Sequence, residues 1–339
     1  MKGSARTTLW FALLAAALLV VFLLNIGFGS TNMTFTEIVD TLFGAGGAGD
    51  AHEANYLIIQ KIRLPRALAS IAGGAAIAIA GLLLQTFFNN PIVEPYVLGI
   101  SSGSMLFVGM VIMGGWTFGL KHISPLLSFA GAFAGAMLVM AVVLFAARRV
   151  KSIITLLVIG LMAGYLCGAL TNILSAFADK EQIARFSLWS MGSFSGFTWQ
   201  QVRILYAIVL PMLGFTFLLA KPLNALGMGE RYAASMGVNA KLLRTELILI
   251  SSVLTAATSA FAGPISFIGL AVPHICRILM HTSNSRILIP AVILGGALMA
   301  GLCDFIARTI MAPVEIPLGA VTALAGAPIV VWLLTRRAQ

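Results

Sequence analysis

The side chains able to do chemistry are few in this chain, and none of them is spaced as a catalytic centre. Cys167, Cys276 and Cys303 show no metal-ligand pattern and sit in apolar runs, where a thiol serves as a small buried hydrophobe. His274 follows Pro273 and lies one turn before Arg277, without the set of further ligands a metal site needs, so it reads as a hydrogen-bonded structural histidine. No nucleophile stands at a useful spacing from a base. No G-x-x-x-x-G-K-[ST] occurs, so the chain has no P-loop with which to hydrolyse ATP. What remains is charge placed where an apolar chain ought not to carry it: Arg63-Leu-Pro-Arg66, the pair Asp304 and Arg308, and the polar stretch from Lys221 to Lys241.

That stretch, KPLNALGMGERYAASMGVNAK, is the longest polar interruption in the second half of the sequence. Glu230 falls in the first turn of a short helix, where a carboxylate suits the helix dipole, and Gly237 is placed to end that helix in a left-handed cap. Met228, Tyr232 and Met236 recur at four-residue spacing and give it one face of two thioethers and an aromatic ring. A helix this short is unstable alone in water and must be held in place. Two readings stand side by side: a surface helix lying at a membrane interface, or a face received by a partner's groove. Arg63 and Arg66 flank a proline well tolerated in a first helical turn, and cations at that edge favour an anionic partner over simple snorkelling. Asp304 and Arg308, four residues apart, suit an intrahelical ion pair, with Arg308 also able to reach solvent through the proline-edged turn that follows.

The elements that must position these groups are membrane helices. The 339 residues are 60% hydrophobic and 9% charged, and the mean hydropathy is +1.01, a composition that no water-soluble domain sustains. Runs long enough to cross a bilayer fall at about 9–28, 64–87, 95–113, 126–147, 153–177, 202–219, 242–262, 264–280, 287–306 and 318–334, with no room between them for a soluble domain. The expectation is an all-α polytopic membrane protein of about ten transmembrane helices forming a single transmembrane domain over 1–339. The first run follows Lys2 and Arg6 as a signal peptide would, but it is too long and lacks an A-x-A site, so it reads as an uncleaved span.

With both termini cytoplasmic, Lys2, Arg6, Arg148, Arg149, Lys151, Lys221, Arg231, Lys241, Arg244, Arg277, Arg286, Arg336 and Arg337 fall inside, against only Glu94, Glu230 and Glu246. The formal charge of +10 then sits wholly on the inner face, as the positive-inside rule requires. Basic residues scattered through short loops form no patch for nucleic acid. Outside lie a loop at about 31–61, broken by the flexible glycines of 44–49 and carrying one short helix, and another at about 179–201, with Trp189 and Trp199 suited to the interface. The second span, rich in alanine and glycine from 69 to 81, is built to pack within protein. It breaks at Gln85-Thr-Phe-Phe-Asn-Asn-Pro-Ile-Val-Glu-Pro95, and irregular polar backbone at such depth points to a gate beside a pathway.

The set RLPR at 63–66, NNPIVEPYVLG at 89–99, LNALGMGE with ASMGV at 223–238, GPISFIGLAVPHICR at 263–277, and DFIAR with EIPLGAVTALAGAPIVVWLL at 304–334 resembles the iron-siderophore, haem and cobalamin ABC-importer permeases, in order and nearly end to end. Methionine stands at 228 and 236 where that family more often has leucine. The resemblance implies the type II ABC-importer permease fold in a bacterial inner membrane. It implies a homodimer of permeases around a central path, two cytoplasmic ATPases carrying ATP and magnesium, and an extracytoplasmic binding protein delivering a metal chelate. It implies no cofactor or metal held by this chain. Leu223, Leu226, Met228, Gly229, Glu230, Tyr232, Met236 and Gly237 match the segment that couples to the ATPase. Arg63, Arg66 and Arg308 match binding-protein docking positions, and they share one surface only if spans two and nine end near each other. Asn90, Pro91 and Ile92 match one inner gate; Ser152, Ile153 and Ile154 lie where the second would be, in a sequence more apolar than that of the cobalamin permeases. An ion-coupled secondary transporter, the competing reading, needs ionisable groups at mid-span, and the spans have none there.

Overall fold

The protein's structure, a computed structural model, describes residues 2–29, 50–114, 124–150 and 152–337. All regular structure among them is helical. In chain order the helices are α1 (Lys2–Gly27), α2 (Asp50–Ile58), α3 (Leu64–Phe88), α4 (Ile100–Gly114), α5 (Pro125–Arg149), α6 (Ile153–Ala176), α7 (Lys180–Ser190), α8 (Trp199–Leu218), α9 (Ala220–Gly227), α10 (Glu230–Ser235), α11 (Ala240–Ala262), α12 (Ile268–Met280), α13 (Ser285–Thr309) and α14 (Leu318–Arg337). A π-helical turn, Ile59–Arg63, joins α2 to α3 without a break. Among the described residues seven helical stretches are long and apolar enough to span a membrane, and α4, α12 and the apolar part of α14 are shorter apolar helices. Every expected run therefore has its helix, and the short outer helix expected before span two is α2. The glycines of 44–49 lie outside the described residues.

α3 is the hub. Of its most apolar stretch 89% is buried, against 22% for α1, α6 and α8 at the periphery. The alanine and glycine content expected to bring it into protein does so through backbone contact. A Cβ on Gly74 would lie 2.2 Å from the Gly296 carbonyl oxygen of α13, and one on Gly81 would lie 1.9 Å from that of Gly269 in α12. Neither position admits a side chain, which is how small residues replace the hydrophobic effect as the cohesive device between membrane helices. The hydroxyl of Ser251 on α11 donates to the Ala80 carbonyl (3.1 Å), adding a polar tie of the same kind.

Two spans start later than hydropathy implies. α4 begins at 100 because Pro95–Leu98 is a single 3-10 turn closed by Gly99 at φ +74°. α12 begins at 268 because Phe267 is left-handed, at φ +67°. Helix starts are otherwise set by local caps: the Ser124 and Ser152 hydroxyls accept from Leu127 and Thr155 amides, and the Asn239 carboxamide accepts from Lys241 and Leu242. Thr198 and Gln201 form a capping box at α8.

Candidate functional site: two inner clefts and a buried ionic cluster

The stretch 221–241 folds as two short helices. α9 ends at Gly227, Met228 caps it, Gly229 at φ +111° turns the chain, α10 runs for six residues, and Gly237 at φ +79° ends it as anticipated. This corrects the single-helix reading, since Met228 precedes the break and Met236 follows the last turn. All three apolar side chains nonetheless face outward, with Met228 72%, Tyr232 44% and Met236 64% exposed. Leu223 is buried and Leu226 half-buried; both join the core cluster and anchor the pair of helices. The side chain of Glu230 lies outside those described.

The anchor continues into the bundle. The Asn224 carboxamide donates to Asn284 (3.0 Å) and accepts from the Ser285 amide (2.7 Å), fastening α9 to the start of α13. Beside them opens a cleft of about 580 Å³ whose walls include Leu223, Asn224, Met228, Asn90, Pro91 and Arg277. Residues expected to couple to an ATPase and to form an inner gate, far apart in sequence, thus line one cavity. Its inner wall is tied by Arg277, which donates to Gln85 Oε1 (2.9 Å), while Gln85 Nε2 donates to the Gly269 carbonyl (3.1 Å).

The gate segment is a fixed turn. Asn89 ends α3 in the left-handed region at φ +46°, and the Asn90 side chain accepts from the Ile92 amide (3.0 Å), leaving Ile92 half exposed. Glu94 accepts a hydrogen bond from the Phe267 amide (3.0 Å), so the break after α3 is pinned to the break before α12. Burial pushes the Glu94 carboxyl above the usual carboxylate range, and that hydrogen bond offsets part of the rise. The second gate segment lies apart from this cavity. Ser152 lines a different cleft of about 510 Å³, Ile154 is exposed, and the side chain of Ile153 lies outside those described.

At the other end of α3, spans two and nine do meet, as a shared surface of Arg63, Arg66 and Arg308 requires. The guanidinium groups are turned inward, however. Arg66, 6% exposed, grips fully buried Asp304 through Nε (3.0 Å) and Nη2 (3.0 Å) and reaches Glu315 through Nη1 (2.6 Å). Arg63 donates to the carbonyls of Ile26 (2.8 Å) and Gly27 (2.7 Å), capping the C-terminus of α1 where a cation suits the dipole. Arg308 donates to the carbonyl and side-chain oxygens of Asn25. The anticipated Asp304–Arg308 pair within one helix is replaced by a pair between helices, Arg66 with Asp304. Glu315, 43% exposed at its side chain, is the cluster's exposed ionic member. His274 is buried, as a structural histidine would be. Among the described residues no group of His, Cys, Asp or Glu could hold a metal ion. Sequence reasoning passed over Asn224, Asn284, Glu94, Gln85 and Glu315, whose partners lie tens to hundreds of residues away.

Residues 17–336 match the FecCD transport family. The chain is 34% identical to the hemin transport system permease protein HmuU of Yersinia pestis, over 100% of this chain and 99% of that protein. It is 36% identical to the vitamin B12 import system permease protein BtuC of Salmonella typhi, over 84% and 85%. A solved inward-facing metal-chelate type ABC transporter superposes with a TM-score of 0.84 at 28% identity, covering 96% of this chain and 98% of that one. A second structure, PsaBC from Streptococcus pneumoniae, shares the fold, with a TM-score of 0.56 at 18% identity. The overall helical fold is thus shared with a known transporter, and the chain belongs to the FecCD transport family.

Proposed function

We propose that this chain is the membrane-spanning permease subunit of an ATP-driven importer of metal chelates, working as a pair of permeases with separate ATPase subunits and a binding protein. The observation that carries the reading is the short-helix pair α9–α10. It sets Met228, Tyr232 and Met236 outward while its inner side lines a cleft with Asn90 and Pro91. A push on that exposed face is transmitted through Asn224 and Leu223 to the break in α3. ATP and magnesium belong to the ATPase in this scheme, because this chain has no P-loop. The hemin and vitamin B12 permease relatives support haem or cobalamin as cargo, and the metal-chelate type neighbour supports the wider chelate class to which iron-siderophores belong.

The binding protein is assigned to the rim above Arg63, Arg66 and Arg308. Their charges are absorbed inside the fold, so they shape that rim from beneath and Glu315 is the charge presented there. The test is uptake into proteoliposomes holding the permease and its ATPase, with ATP inside, binding protein outside, and hemin, cobalamin or a ferric siderophore as cargo. Accumulation that requires both ATP and the binding protein supports the reading. Uptake that ignores ATP and collapses with a proton or sodium ionophore overturns it in favour of an ion-coupled carrier.

A further inference from the structure

The second inner cleft, which the expected gate position Ser152 lines, is unusual in its other walls. Arg148 and Arg149 at the end of α5 and Lys241 and Arg244 at the start of α11 face one space of about 510 Å³, with the hydroxyls of Ser152 and Thr245 beside them and Phe87 and Leu156 as buried walls. Among the described residues no acidic side chain lines it. The guanidinium carbons of Arg149 and Arg244 lie over aromatic rings, Phe145 at 5.1 Å and Phe87 at 5.9 Å. Lys241, Arg148 and Arg149 are exposed.

We infer that this cleft binds the phosphodiester headgroup of an anionic phospholipid, such as phosphatidylglycerol or cardiolipin. Arg148, Arg149 and Lys241, three exposed like charges around one cavity, repel each other, and a multivalent oxygen anion relieves that repulsion while accepting paired hydrogen bonds from arginine. The surroundings choose a lipid over a soluble phosphate. Large apolar side chains close in sequence to the cationic lining are exposed: Phe145 62% and Leu242 56%. A headgroup held by the cations can lay its acyl chains along these residues, as basic pockets between membrane helices hold anionic lipids. Ser152, one of the second gate positions, lines the same cleft, so an occupied cleft would brace the start of α6. The inference needs only the membrane setting of the helices and is independent of cargo and of ATP coupling.

Native mass spectrometry of the detergent-purified permease, after exposure to equal phosphatidylglycerol and phosphatidylethanolamine, tests it on the full chain. The parent should retain phosphatidylglycerol selectively. A combined Arg148→Gln, Arg149→Gln, Lys241→Gln variant should retain at least about tenfold less, while phosphatidylethanolamine retention is unchanged. An Arg148→Lys, Arg149→Lys variant, which keeps the charge, should recover most of it and controls for misfolding. Equal retention by the parent and the neutralised variant, or no preference over phosphatidylethanolamine, overturns the proposal. So does displacement of the lipid by millimolar inorganic phosphate, which would make the cleft a soluble-anion site. Undiminished lipid retention with loss of ATPase co-purification would instead assign the cations to the partner.

Discussion

Arg66 shows what a single residue does here. A guanidinium that is 6% exposed is tolerated only because a fully buried carboxylate, Asp304, accepts hydrogen bonds from its Nε and Nη2 and Glu315 accepts from its Nη1 and Nη2. Removing one partner strands the other. Arg66→Ala should therefore destabilise the protein by about 3–5 kcal/mol, read as loss of the folded species in thermal unfolding or size-exclusion of the detergent-solubilised protein. Arg66→Ala combined with Asp304→Ala should recover a large part of the loss, because the fully buried carboxylate is removed together with its guanidinium partner and the remaining Glu315 is 43% exposed at its side chain. If the single variant melts with the parent, the pair is not a structural clamp. The spacing of Asp304 and Arg308 had pointed to each other, since neighbours four apart on a helix are the only pair a sequence displays. The partner chosen in space lies 238 residues away, and helix packing decides it.

At the scale of elements, the legible and illegible parts divide along the same line. Span number and order follow from hydropathy, and the burial of α3 follows from its alanines and glycines. The break after Phe88 follows from Asn89, Asn90 and Pro91. The two delayed helix starts, at 100 and 268, did not follow, because apolar residues such as Val97 and Phe267 continue the hydropathy signal through irregular backbone. Likewise the four-residue spacing of Met228, Tyr232 and Met236 is real in sequence but is cut by Gly229, whose φ of +111° no helix accommodates.

The pin between the two irregular breaks, Glu94 to the Phe267 amide, carries a pH signature. Burial raises the folded-state pKa of Glu94 above its unfolded value. The native state then holds more proton than the unfolded state over that interval, and stability falls as pH rises through it, beginning near the ordinary glutamate value of about 4.3. Glu94→Gln keeps an acceptor for the Phe267 amide and removes the titration. The variant should match the parent at low pH and melt higher than the parent at pH 7–8, in a comparison of melting temperatures across pH. A gap that stays constant or reverses would show that the carboxylate is stabilised as an anion.

On the scale of the whole molecule, the structure sets an exposed apolar face, a hydrogen-bonded anchor and the broken end of the hub helix in one line. Met228 and Asn90 share a cleft wall, so movement of α9–α10 changes the space in which the Asn90-Pro91-Ile92 turn sits. If that turn closes the path, bulk at Ile92 keeps it dry, and Ile92→Gly should make resting proteoliposomes leak a small entrapped solute without ATP, because a narrow apolar closure excludes water by size and dewetting. Vesicles as tight as those of the parent would remove the gate from this position.

The central claim is that the α9–α10 face carries the work of hydrolysis into the membrane, and it is tested most directly at Tyr232. An aspartate there would bury an unpaired charge in the partner's groove, at a cost of several kcal/mol. The measurement is the ratio of chelate imported to ATP hydrolysed by the reconstituted complex, for the parent and for Tyr232→Asp. The account predicts a ratio at least about tenfold lower in the variant, through lost ATPase association or through hydrolysis that continues without transport. A variant that binds its ATPase and imports chelate at the parental ratio would contradict it.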